Sequence, residues 1–126
     1  MATDTPVGDD SALAALRALV TAIDASTEEL RQARSRAEDL LRQRAAGGAW
    51  FDIVTDEARP LVVERISTVL ATLASAGGAW RREQARALHA EQVSINRIAT
   101  LFGVTRQRIS ALLRDRPEDT GLATLD

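Results

Sequence analysis

Apolar side chains recur every three or four residues through most of this chain, and no stretch alternates apolar and polar residues over the length of a strand. The pattern predicts an all-α protein. From Ser11 to about Ala46 neither glycine nor proline interrupts it, which favours one long helix of about 54 Å at 1.5 Å per residue. Its apolar residues lie near a heptad seam that Thr27 and Arg34 interrupt: Leu13, Leu16, Val20, Ile23, Leu30, Ala37 and Leu41.

The same stretch also allows two helices. Ser26 and Glu29 have the spacing of a capping box, which would start a second helix after a break near Asp24. In either form a single helix cannot bury the apolar seam alone, so we expect residues 11–78 to be a helical region that forms oligomers.

The five-residue sequence AGGAW occurs at residues 46–50 and again at 76–80, and the residues that follow each copy differ at once. We therefore expect repeated helix-ending chemistry instead of a duplicated unit, with two glycines ending one helix and a tryptophan anchoring the next. Trp50 and Trp80 are accordingly predicted to lie in the core.

An apolar segment between the two glycine pairs predicts another helix. Residues 55–57 have the composition of a helix start, Pro60 is tolerated within a first turn, and the glycines at 77 and 78 are expected to end the helix. A dense apolar cluster precedes it, formed by Trp50, Phe51, Ile53 and Val54. The helix carries a broad apolar stripe that we expect to be well buried: Val62, Ile66, Val69, Leu70 and Leu73.

Two short apolar-periodic segments joined by a glycine follow, from Ser94 to Arg116. Gly103 supplies the left-handed backbone that ends one helix, and Ser94 and Thr105 stand at the two N-cap positions. Ala99 lies where the helices are expected to cross, and its small side chain allows a close approach. The predicted apolar faces are Ile95, Ile98, Ala99 and Phe102 in the first helix, and Val104, Ile109, Leu112 and Leu113 in the second.

This stretch resembles the helix-turn-helix of homeodomain-like bacterial regulators, of resolvase and invertase DNA-binding domains, and of the last DNA-binding region of sigma factors. The phrase IATLFGVTRQRISALL is similar to a form common in small actinobacterial regulators, and AWRREQARALHAEQ would be the first of three helices. The resemblance covers residues 80–116. It implies that Thr105, Arg106, Gln107, Ser110 and Arg114 face DNA, while Ile98, Ala99, Phe102, Gly103, Val104, Ile109 and Leu112 hold the fold.

The side chains of the second helix suit base recognition, because arginine and glutamine bond bidentately to guanine and adenine in the major groove. We expect Arg106, Gln107 and Ser110 to read bases, with Arg108 at the flank of the helix. Phosphate contacts, which fix register without reading sequence, are expected from Ser94, Thr105, Arg81, Arg82 and Arg97.

The net charge of -2 conceals an uneven distribution. Residues 1–80 carry a net charge of -4, residues 81–116 carry +5, and the last ten residues carry -3. All sixteen basic residues are arginine. A basic block confined to the helix-turn-helix is typical of a surface that contacts phosphates.

Composition argues against several classes of function. There is no cysteine, which excludes disulfides and cysteine-ligated metal sites, and His89, the one histidine, has no catalytic or metal-binding neighbour at a suitable spacing. Neither glycine pair continues as a phosphate-binding loop. We therefore expect no enzyme, no cofactor and no metal. Without an apolar stretch near twenty residues or a signal-like N-terminus, we expect a cytoplasmic protein of the nucleoid with no membrane partner.

These observations divide the chain into four predicted parts: a disordered leader at 1–10, the oligomerisation region at 11–78, the helix-turn-helix domain at 79–116 and a flexible acidic tail at 117–126. We expect a sequence-specific transcriptional regulator that binds double-stranded DNA as a homodimer. Two other hypotheses stay open: an adaptor that binds RNA polymerase or a sigma factor, and a low-specificity, nucleoid-associated DNA-binding protein.

Overall fold

The computed structural model describes residues 10–114, and that part of the chain contains five α-helices and no β-strand. In chain order the helices are α1 (Ser11–Ala45), α2 (Trp50–Asp56), α3 (Val62–Ala90), α4 (Ile95–Phe102) and α5 (Arg106–Arg114). The all-α prediction is confirmed. The predicted leader, apart from its last residue, and the predicted acidic tail lie outside the described residues.

α1 is one uninterrupted helix, in agreement with the lack of glycine and proline. It begins after Asp10, whose Oδ1 accepts a hydrogen bond from the backbone N–H of Leu13 at 2.9 Å. It ends because Gly47 adopts a φ of +99°, so that the N–H groups of Gly47 and Gly48 each reach a carbonyl of the last turn at 3.0 Å. The alternative break is wrong, since Ser26 lies buried within the helix.

The described residues divide into two compact units. Residues 18–76 form one, named here the hairpin unit. Residues 10–17 and 77–114 belong to the other, named here the C-terminal unit. α1 and α3 each contribute residues to both units.

Within the hairpin unit, two arginines show that α1 and α3 run in opposite directions. The guanidinium of Arg65 on α3 donates to Glu29 on α1 at 3.0 Å. The guanidinium of Arg36, two turns later on α1, donates at 3.1 Å to the carbonyl of Ala58, which precedes α3. Residues later in α1 therefore contact residues earlier in the segment that leads into and contains α3, which is the order of an antiparallel pair. The buried residues of this unit are Ser26, Ala33, Ile53 and Val69.

α3 continues through Gly77 and Gly78, so the predicted helix end at these residues is wrong. Neither glycine adopts a positive φ. A glycine inside a helix costs only about 1 kcal/mol relative to alanine, which the helix-favouring residues on both sides outweigh. Ala85, further along the same helix, is fully buried in the C-terminal unit and anchors the continuation. The predicted border at residues 78 and 79 consequently falls inside a helix.

α3 also begins later than predicted. Residues 55–57 lie at the end of α2 and just after it, and Pro60 precedes α3 instead of standing in its first turn. Two carboxylates satisfy the N–H groups at the observed start. Glu64 accepts from the backbone N–H of Leu61 at 2.8 Å, and Glu57 accepts from the next N–H at 2.8 Å. Negative groups at the positive end of a helix stabilise the start at this position.

Much of the predicted apolar core is exposed in the single chain. Trp50, a predicted core residue, is 52% exposed, whereas Trp80 is half-buried. In the predicted stripe of α3, Val69 is buried but its neighbour Leu70 is 63% exposed. The other exposed members of the predicted apolar sets are Leu16, Val20, Ile23, Leu30, Leu41, Phe51, Val54 and Ile66. The physical reason is that α1 packs through the neighbouring stripe and not through the predicted seam. That stripe contains the buried Ser26 and Ala33 and the half-buried Leu19 and Leu40.

Candidate nucleic-acid interface

The last turns of α3 pack with α4 and α5 around one small core. Its buried residues are Ala85 on α3, Ile98 and Ala99 on α4, and Ile109 and Leu112 on α5. Ile98 and Ile109 are completely buried. Six partly buried residues pack against this core: Leu88, Val93, Ile95, Phe102, Val104 and Leu113. The apolar faces predicted for α4 and α5 are therefore the faces that the core uses.

Both short helices start at the predicted N-caps. Ser94 Oγ accepts a hydrogen bond from the backbone N–H of Arg97 at 3.1 Å, and Thr105 Oγ1 accepts one from that of Arg108 at 3.0 Å. Gly103 ends α4 with a φ of +70°, and its N–H bonds back to the last turn. The two helices are thus joined by only three residues, a length typical of a helix-turn-helix.

The connection between α3 and α4 contains a feature that the sequence analysis missed. Gln92 adopts a φ of +73°, and the backbone N–H of Val93 bonds to the carbonyl of Leu88 at 3.0 Å. This is the same helix-ending geometry that Gly103 supplies at the end of α4. Glutamine is not a signal for left-handed backbone, so only the short distance between two apolar-periodic segments pointed to a turn here.

The outer surface of α5 is polar and basic. Arg106, Gln107, Arg108 and Arg114 are exposed, and Ser110 is half-buried. From α4 to the end of α5 the chain carries four arginines and no acidic residue. The positive field of this surface is therefore not reduced by carboxylates of its own two helices.

Two further predicted contact residues, Arg97 and Arg81, are exposed on α4 and α3. The guanidinium carbon of Arg81 lies 4.6 Å from the centre of the Phe102 ring, which links it to the end of α4. Arg82 differs from both. It is half-buried, and its Nε is buried without a hydrogen-bond partner in the described structure.

His89 is exposed, and within residues 10–114 no group of three or more histidine, aspartate and glutamate side chains is placed to hold a metal ion. No helix among these residues is long and apolar enough to cross a membrane.

The comparisons with known proteins add nothing to this geometry. Neither a family model, nor a curated protein, nor a solved structure matches the chain.

Proposed function

We propose that the chain is a sequence-specific transcriptional regulator that binds double-stranded DNA as a homodimer through α4 and α5. The proposal rests above all on the two faces of α5. One face is closed by the buried Ile109 and Leu112. The opposite face exposes Gln107 and Arg114, and Arg106 and Arg108 are exposed at its two edges. A single α-helix fits the major groove, and arginine and glutamine are suited to its guanine and adenine edges.

The exposed residues have different roles in this proposal. Arg106 and Gln107, in the first turn of α5, enter the groove and read base edges together with Ser110. Arg97 and Arg81 lie on the neighbouring helices and bind phosphates, which positions α5. Ser94 and Thr105 use their side-chain oxygens as helix caps, and their hydroxyl protons remain to be donated to phosphate oxygens.

A homodimer is part of the proposal because one short recognition helix reads only a few base pairs. Two copies bound to half-sites about one helical turn apart, roughly 34 Å, supply the specificity that a regulator needs. The exposed apolar residues of α1 and α3 support this proposal, because such surface is normally covered by a partner. The protein would act in the cytoplasm on the nucleoid, without a metal or cofactor.

Fluorescence anisotropy with the full chain tests the division of roles. The probes are a duplex carrying the preferred sequence, obtained by selection from random DNA, and a random duplex of equal length. We expect Arg106→Ala to lose about 1 to 3 kcal/mol on the preferred site and less on the random duplex, and Arg97→Ala to weaken both equally. Arg42→Ala, at an exposed arginine of α1, is the matched control and leaves both affinities unchanged. Equal losses on both duplexes for Arg106→Ala contradict base reading.

A salt titration in the same assay separates the other hypotheses. Binding that falls steeply with salt but does not distinguish the two duplexes favours a nucleoid-associated protein of low specificity. Absence of binding at low salt favours an adaptor that binds RNA polymerase or a sigma factor. Either result contradicts the proposed regulator.

A further inference from the structure

Two neighbouring stripes of residues run along α1, and in each seven-residue repeat the second stripe begins one residue after the first. The inner stripe turns towards the interior of the hairpin unit and includes Ser26 and Ala33, both buried, with the half-buried Leu19 and Leu40 one heptad before and after them. The outer stripe begins at the next residue of each repeat, about 100° further around the helix. It is exposed: Val20, Ile23, Leu30 and Leu41 are 52%, 46%, 45% and 66% accessible.

α3 repeats this arrangement. Val69 is buried, whereas Val63, Ile66 and Leu70 are 63%, 39% and 63% exposed. In an antiparallel pair of helices, the positions that follow the shared seam on each helix lie on the same side of the pair. The two exposed stripes therefore form one apolar surface, named here the outer face: Val20, Ile23, Leu30, Leu41, Val63, Ile66 and Leu70.

We propose that the outer face packs against the outer face of a second copy, with α1 antiparallel to α1 of that copy, so that two hairpins form a four-helix bundle. The proposal rests on the homodimer of the proposed function and names its surface and orientation. The heptad spacing of the outer stripes fits a partner that is itself helical and spaced in the same way. A twofold dimer meets this condition, because each residue then contacts the same surface on the other copy.

Charged residues along the rim of α1 indicate the orientation. Arg17, Asp24, Arg31 and Glu38 follow one another at intervals of seven residues, are all exposed, and flank the outer stripe. Their signs alternate. When α1 lies antiparallel to its copy about a point near residue 28, Arg17 meets Glu38 and Asp24 meets Arg31. Twofold symmetry forms each pair twice. Within one chain Arg31 already pairs with Glu28 at 2.7 Å and Glu38 with Arg34 at 3.6 Å, so the dimer gives these two a second neighbour of opposite sign, and gives Arg17 and Asp24 one as well.

The rim of α3 disfavours the other stacking of two hairpins, in which α1 would lie on α3 of the second copy. Within the hairpin unit, the positions of α3 that correspond to the charged rim of α1 are Ser67 and Ala74, which carry no charge; the next position in the series is Arg81. In that arrangement Asp24 and Arg31, in the middle of the α1 rim, would face uncharged residues. Charge complementarity therefore favours α1 on α1 and α3 on α3.

The two polar residues within the outer stripe of α1 favour the same orientation. In a parallel pair, Arg34 would face Arg34 of the second copy, and like charges in contact repel. The antiparallel register brings Arg34 level with Ile23 and Thr27 level with Leu30. The Arg34 side chain is 82% exposed in the single chain, so its methylene groups can cover the apolar neighbour while its charge stays in water.

Cysteine crosslinking tests the orientation, because the chain contains no cysteine of its own. Thr27→Cys places a thiol near the twofold axis, and we expect a short bifunctional maleimide to join two copies efficiently. Leu41→Cys is the matched variant on the same stripe. Its two thiols would lie roughly 37 Å apart at 1.5 Å per residue and would not be joined. A mixture of Leu16→Cys and Leu41→Cys chains is expected to give the mixed crosslinked dimer.

Charge reversal provides a second test that leaves the apolar residues untouched. Asp24→Arg alone or Arg31→Asp alone creates like-charge contacts in the dimer, and we expect each to raise the dimer Kd about tenfold in sedimentation at low salt. The double variant Asp24→Arg with Arg31→Asp restores opposite charges and is expected to recover most of the affinity. Circular dichroism of each variant checks that the helices are retained.

Several outcomes overturn the proposal. These are efficient self-crosslinking of Leu41→Cys, a monomer in sedimentation at micromolar concentration, and a double charge variant no tighter than either single one. None of these measurements involves DNA, so the two proposals fail separately. A crosslinked Thr27→Cys dimer that binds no DNA contradicts the proposed regulator. Sequence-specific DNA binding by a monomer contradicts the outer-face dimer and the homodimer of the proposed function, but leaves recognition through α5 in place.

Discussion

The guanidinium carbon of Arg81 lies 4.6 Å from the centre of the Phe102 ring. Arg81 is exposed on α3, and Phe102 is half-buried at the end of α4. A cation over an aromatic face is attracted by the electrons of the ring and keeps its charge. The pair therefore joins α3 to the end of α4 while it leaves a positive charge at their surface.

We predict that Arg81→Ala lowers the free energy of unfolding by about 0.5 to 1 kcal/mol, the range of a cation–π contact at an exposed site. Urea denaturation followed by circular dichroism measures the change. A double-mutant cycle with Phe102→Leu isolates the contact from other effects of each substitution. Strictly additive changes in that cycle would show that the two side chains do not interact.

Gln92 occupies a position that suits glycine. Its φ of +73° strains any residue with a Cβ atom by about 1 to 2 kcal/mol. We predict that Gln92→Gly raises the free energy of unfolding by about 1 kcal/mol. Gly103→Ala, at a φ of +70° with open space around its Cβ, should lower it by a similar amount. Destabilisation by Gln92→Gly would mean that the glutamine side chain makes a contact that outweighs the strain.

Gly77 and Gly78 weaken the middle of α3. Neither has a positive φ, and a Cβ added at either position meets no atom within 4 Å. Alanine is therefore expected to stabilise the helix by about 1 kcal/mol at each position. Gly48→Ala is the opposite control, since its Cβ would lie 2.9 Å from the carbonyl oxygen of Gln43. Thermal unfolding gives the ranking, and a loss of stability in both α3 variants would contradict a continuous helix.

Glu28 provides a prediction about pH. Hydrogen bonds from Arg31 and then Gln32, at 2.7 Å and 3.0 Å, lower the pKa of Glu28 from 4.5 to about 2. Because the pKa is lower in the folded state, the interaction stabilises the fold above pH 4.5 and is lost as the pH falls towards 2. The residue is fully exposed, so we expect the effect to weaken further in high salt.

NMR titration of the Glu28 carboxyl group measures this pKa directly. We predict that Arg31→Ala returns the pKa towards 4.5, whereas Arg34→Ala, three residues away on the same helix, leaves it near 2. A pKa that does not respond to Arg31→Ala would rule out the hydrogen bonds as its cause.

The sequence predicted where α4 begins and ends and where α5 begins, because the determinants of these positions are local. Ser94 and Thr105 each cap the N–H three residues ahead, and Gly103 ends its helix with its own backbone. Such interactions depend on short spacing and residue type. They would form in any tertiary context that allows the helices.

The sequence predictions that proved wrong concern features that depend on residues distant in the chain. The glycines of both AGGAW copies are equally able to end a helix, but Gly47 turns left-handed whereas Gly77 stays helical within a helix that reaches the buried Ala85. The heptad pattern of α1 identified one apolar stripe, yet the chain buries Ala33 on the neighbouring stripe, which also holds the half-buried Leu19 and Leu40. The local sequence pattern does not reveal which of two neighbouring stripes of a helix packs against other helices of the same chain.

Selection of bound sequences from random double-stranded DNA, with the whole chain, is the decisive measurement for sequence-specific binding by a homodimer. We predict enrichment of an inverted repeat whose half-sites are spaced by about one helical turn, roughly 10 base pairs. We also predict that Arg106→Ala relaxes the preference at one position in each half-site. Recovery of sequences that share no motif would contradict a sequence-specific regulator. Equal affinity for selected and random duplexes at every salt concentration would contradict it as well.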